Sequence, residues 1–102
     1  MRTLLQVTLS DVATANKAIM DGSLVKIIES VSHKIQPEAG YFYTIDGCRA
    51  CTMIFDMKDV SEIPQIAESF FMGLNAKVEF IPVMSKEDLH KGIGAWMQAQ
   101  QQ

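Results

Sequence analysis

Tyr41–Met57 reads YFYTIDGCRACTMIFDM, and this stretch decides the fold. Two runs rich in aromatic and branched residues, Tyr41 to Ile45 and Cys48 to Met57, flank Asp46-Gly47. Both positions of that dipeptide tolerate positive φ, which suits the two-residue turn of a β-hairpin. With such a turn Ile45 opposes Cys48, Tyr43 opposes Ala50 and Tyr41 opposes Thr52. Side chains alternate across a strand, so this register sorts the hairpin into two faces. One carries Phe42, Cys51, Met53 and Phe55, and the other carries Tyr41, Tyr43, Ile45, Thr52 and Ile54.

Upstream, Arg2 to Leu9 alternates Leu5, Val7 and Leu9 with Leu4, Gln6 and Thr8, the two-residue period of a strand. From Asp11 to Gln36 the apolar positions take helical spacing: Val12, Ala15 and Ile19, then Leu24, Ile27 or Ile28, Val31 and Ile35. Asp21-Gly22-Ser23 divides them into a short helix started by Asp11 and a longer one, capped by Ser23 and stopped before Pro37. Downstream, Ser61 is expected to cap a helix with Pro64 in its first turn and Ile63, Ile66 or Ala67, Phe70 and Leu74 as its stripe. Gly73 near its end is expected to let the chain turn. Ala76 to Val83 reads as a fourth strand. Ser85 with Asp88 resembles a capping box ahead of a last helix, whose stripe is Leu89, Ile93, Trp96 and Met97. Gly92 and Gly94 weaken that helix, and Gln98 to Gln102 is expected to fray. The order β, α, β, β, α, β is that of a ferredoxin-like α+β sandwich with a four-stranded antiparallel sheet, here with an extra C-terminal helix.

The chain has 102 residues, which suits one domain over 1–102. An apolar fraction of 48% with 21% charged residues supports a core and argues against disorder. Nine Lys and Arg against twelve Asp and Glu give a net charge of -3, so the basic excess that drives nucleic-acid binding is missing. No apolar stretch resembles a signal peptide or a membrane helix, so a soluble, cytoplasmic protein with no membrane partner is expected. The two cysteines fit a reducing compartment.

Joined by Leu5, Val7, Leu9, Val78 and Phe80, the Phe42 face of the hairpin forms the expected core against the helices. The other face, with Leu4, Gln6, Thr8, Glu79, Ile81 and Val83, is too apolar for open water. A second copy stacked on it buries the patch in a twofold homodimer.

Asn16-Lys17-Ala18-Ile19, Asp21-Gly22-Ser23-Leu24 and Pro37-Glu38-Ala39 with Tyr41-Phe42 form one set of identifying strings. Ser61, Ile63-Pro64, Ala67-Glu68, Asn75-Ala76-Lys77-Val78-Glu79, Pro82-Val83-Met84 and Glu87-Asp88-Leu89 continue it over nearly the whole chain. In these strings and in element order the chain resembles the dimeric α/β-barrel superfamily. Within it, the chain is similar to a group of small uncharacterised bacterial proteins, themselves distantly similar to muconolactone isomerases and cofactor-free antibiotic-biosynthesis-type monooxygenases. The resemblance implies the fold and a homodimer, and it leaves the reaction open.

No strong catalytic motif is present. Cys48-Arg49-Ala50-Cys51 has C-x-x-C spacing, but it opens a strand, where the two thiols point to opposite faces, and it supplies only half of a zinc site. His33 and His90 have no partner at chelating spacing and read as solvated helix positions. No metal and no cofactor are expected. On the second face Gln6, Thr8, Tyr41, Tyr43, Thr52 and Glu79 either converge on a pocket for a small aromatic or carbonyl compound or satisfy one another across a dimer interface. In the first case Glu79 is the natural proton acceptor. A second possible cleft lies between helices and sheet, reached by Asn16, Thr44 and Glu68. The function expected is binding of a small apolar or aromatic molecule by a homodimer. The alternative is a cofactor-independent isomerase or monooxygenase acting on a small aromatic or polyketide-like compound.

Overall fold

A computed structural model describes residues 1–101, and every structural statement below refers to them. The strands are β1 (Arg2–Leu9), β2 (Ala39–Ile45), β3 (Cys48–Asp56) and β4 (Lys77–Pro82). The helices are α1 (Val12–Asp21), α2 (Ser23–Ile35), α3 (Glu62–Leu74) and α4 (Lys86–Gln100). The strands form one antiparallel sheet in the order β2-β3-β1-β4, an α+β arrangement compatible with the ferredoxin-like pattern.

The hairpin turns at Asp46 (φ 52°) and Gly47 (φ 74°), and both positive angles match the twist that a two-residue connection needs. Ile45 pairs with Cys48, Tyr43 with Ala50 and Tyr41 with Thr52, the register expected from the turn. That register carries across β1, where Val7 pairs with Cys51 and Leu5 with Met53. Leu5, Val7, Cys51, Met53 and Phe55 therefore share one face and pack beneath Ala15, Ala18, Val31, Ile35, Ile66, Phe70 and Leu74 of α1, α2 and α3. Phe42 has the same orientation but stays 64% exposed, contrary to the sequence reading, because it lies on the edge strand beyond the cover of the helices.

The helix ends depart from expectation in informative ways. Asp11 caps α1 as expected, accepting from Thr14 N at 3.1 Å. Ser23 is not a cap: Gly22 occupies that position in the left-handed region (φ 82°), closing α1 and starting α2 in one step. Ser61 makes no side-chain cap bond either. Instead Glu62 Oε2 accepts the amides of Lys58 and Asp59, at 2.7 and 3.0 Å. The turn after α3 is made by Asn75 (φ 48°). Gly73 serves packing, since a Cβ there would stand 2.7 Å from Ile27 Cδ1 of α2.

Ser85 and Asp88 form the reciprocal capping box that starts α4. The helix continues through Gln100, past the start of the expected fraying at Gln98, and Gln102 lies outside the described residues. No residue of α4 is buried. The helix projects from the body, which gives extents of 60 × 28 × 19 Å and a radius of gyration of 16.8 Å. A compact chain of this length has a radius of about 13 Å. No helix is long and apolar enough to cross a membrane.

Candidate functional site

Two places combine geometry with chemistry, one on each face of the sheet. On the open face, β1 and β3 bring Gln6 and Thr52 side by side, and β2 adds Tyr43 one row along. Gln6 Oε1 accepts from Thr52 Oγ1 at 2.7 Å and from the Tyr43 hydroxyl, and the two hydroxyls also touch each other. Gln6 Nε2 donates to Thr8 Oγ1 at 3.3 Å. Two hydroxyl protons thus serve three oxygen–oxygen contacts, leaving the cluster richer in lone pairs than in donors. Apolar Leu4, Ile54, Ile45 and Ile81 share this face; Leu4 and Ile54 are half-buried, and Ile45 and Ile81 are exposed.

The other residues expected on this face stand apart from the cluster. Tyr41 pairs with Thr52 in register, yet its ring is 66% exposed at the sheet edge. Glu79 lies beside Gln6 on β4, open to solvent and without a side-chain hydrogen bond among the described residues.

Beneath the helices is an apolar cleft of about 200 Å³. Leu24 and Ile28 of α2 form one wall and Phe42 of β2 the other. Val7, Leu9 and Cys51 supply the floor, with Phe70 and Leu74 of α3 at the back. It exists because α2 does not reach over the edge strand, which also explains the exposure of Phe42. Arg49 lines the same cleft, and its Nη1 donates to Asn16 Oδ1 at 2.9 Å. Of the residues assigned by sequence to a helix–sheet cleft, Asn16 reaches this one only through Arg49. Glu68 and Thr44 are exposed and do not line it.

Sequence reasoning missed Arg49, although a signal was present. It shares the parity of Cys51, Met53 and Phe55, so a charge was due on the core side of β3, opposite Leu9. The two cysteines are free, and burial pushes the Cys51 thiol up to about 11, which suits an inert wall residue better than a nucleophile. No group of three or more metal-ligating side chains gathers among the described residues.

Compared with known proteins, the chain matches no family model, no curated protein and no solved structure. The expected resemblance to dimeric α/β-barrel proteins thus gains no support from them, and the structure shows the coarser likeness, an α+β fold with a four-stranded antiparallel sheet.

Proposed function

We propose that the protein is a homodimer that binds a small apolar or aromatic molecule, and that its fold is the ferredoxin-like sandwich paired as a dimeric α/β barrel. The apolar cleft between α2 and the sheet carries the binding part. A preformed cleft lined mostly by aliphatic and aromatic side chains gains affinity from apolar burial. Its volume of about 200 Å³ exceeds the roughly 150 Å³ that holds a benzene ring in an engineered core.

The dimer is supported by two unpartnered apolar surfaces on one chain. The open sheet face shows Tyr41, Tyr43, Ile45 and Ile81, and α4 holds Leu89, Ile93, Trp96 and Met97 away from its own fold. A second copy satisfies both, its sheet stacking on the first while each α4 reaches across the body of the other subunit. Native mass spectrometry of the purified protein tests this: the expected mass is twice 11.4 kDa, with titrated phenylpropanol adding its mass to the complex. A monomer that takes up no probe overturns both halves.

The polar cluster favours a second reading, a cofactor-independent isomerase or monooxygenase. In a stacked dimer Tyr43, Gln6 and Thr52 would lie between the sheets, where water is excluded and hydrogen bonds to a bound carbonyl compound strengthen. Loss of turnover of small aromatic or polyketide-like compounds in Tyr43→Phe or Glu79→Gln would select this reading. Equal turnover in both variants would remove these residues from the site.

A further inference from the structure

We infer that the molecule held in the cleft is an apolar or aromatic carboxylate, with its ring or chain in the cavity and its anionic head on Arg49. This rests on the reading of the cleft as a binding site and adds the class of ligand. The walls contributed by Leu24, Ile28, Phe42 and Phe70 offer no hydrogen-bonding side chain, and Tyr43, which also lines the cleft, has its hydroxyl engaged by Gln6 and Thr52, so an apolar ligand body fits best. Arg49 is the charged side chain lining the cleft, and it stands on the core-facing side of β3.

The ion pairs among the described residues use the Met1 amine, Arg2 and Lys58, so Arg49 has no carboxylate partner there. Asn16 engages one corner of the guanidinium, at 2.9 Å. The rest of the fork is left for an acceptor, and a carboxylate matches that fork with two parallel hydrogen bonds. A single cation suits a monoanion. On a chain of net charge -3, the attraction that favours a multiply charged ligand is weak.

Isothermal titration of the intact protein at neutral pH with phenylpropionate and with phenylpropanol separates the head from the body. The acid is expected to bind about tenfold or more tightly than the alcohol, the worth of a charged hydrogen-bonded pair. Arg49→Met should bring the acid down to the alcohol and leave the alcohol unchanged. Arg49→Lys should keep part of the preference, since the charge remains and the fork is lost. Arg49 is exposed, so circular dichroism and thermal unfolding of the variants should match the parent. Leu24→Phe, filling the cleft, should weaken both probes. Equal binding of acid and alcohol to the parent overturns the carboxylate assignment while the cleft stands. Failure of the parent to bind either probe overturns the cleft as well.

Discussion

The helices α3 and α4 are alike in length, 13 and 15 residues, and each carries an apolar stripe, yet only one has a place to put it. Ile66, Ala67, Phe70 and Leu74 of α3 are buried against the sheet, whereas Leu89, Ile93, Trp96 and Met97 of α4 all face out. Local signals do not explain the difference. The better cap belongs to α4, through Ser85 and Asp88, while α3 starts with no side-chain cap from Ser61. A cap and a stripe make a helix, but its partner depends on where the preceding strand ends. β4 runs out at Pro82, and the chain then leads α4 off the body. The contrast teaches that a capped helix with an apolar stripe need not find a partner within its own chain, and the proposed dimer is the reading that gives α4 one.

The largest effect is expected in α3. Phe70→Ala should cost about 3–5 kcal/mol in urea unfolding, because it empties a site that is 1% exposed. A loss under about 1 kcal/mol would mean that α3 is no better anchored than α4. Next comes Trp96→Ala, expected to weaken the dimer by about 2 kcal/mol, near thirtyfold in dissociation constant, as an aromatic interface anchor does. Sedimentation equilibrium reads this directly, and an unchanged constant would leave α4 without its partner. Ser85→Ala should cost about 1 kcal/mol of helix stability through loss of the capping box. It should lower the far-ultraviolet helical signal while the unfolding of the sheet core stays in place.

The glycines sharpen the contrast further. A Cβ at Gly92 or Gly94 meets nothing within 4 Å, so alanine at either should gain up to about 1 kcal/mol of helix stability. Gly73→Ala in α3 should come out near neutral, since the same helical gain is offset by the 2.7 Å approach to Ile27 Cδ1. Adding Ile27→Val should release that gain, and thermal unfolding of the set orders the four variants.

The smallest effect lies on the path from β3 into α3. Lys58, aided by the Met1 amine, lowers the Asp56 carboxyl from 3.8 to about 2. Folding lowers this pKa, so the carboxylate contributes above 3.8 and its contribution fades as pH falls toward about 2. The stability difference between the parent and Asp56→Asn should therefore close across that interval. It should be small and shrink with added salt, because the group is exposed.

Much of this was legible in the chain. Asp46-Gly47 between two branched and aromatic runs gave the turn, the register and the parity that puts Gln6, Tyr43 and Thr52 on one face. The caps expected at Ser23 and Ser61 are not made: Gly22 takes the position before α2 without a side-chain bond, and Glu62 turns back to the amides of Lys58 and Asp59 ahead of α3, choices that depend on backbone geometry a few residues away. Exposure of Phe42 was not legible either, since parity says which way a side chain points and says nothing about how far the covering helix extends.

By itself the sequence determined the order of the elements, the pairing within the hairpin and the two apolar faces of the sheet, because these follow from local conformational preference and from periods of two and 3.6 residues. Only the tertiary structure decided that α2 stops short of the edge strand and opens a cleft, that Arg49 stands in it beside Asn16, and that α4 leaves the body unaccompanied. Those outcomes depend on the lengths and directions of elements meeting in space, where no single stretch of chain carries the answer.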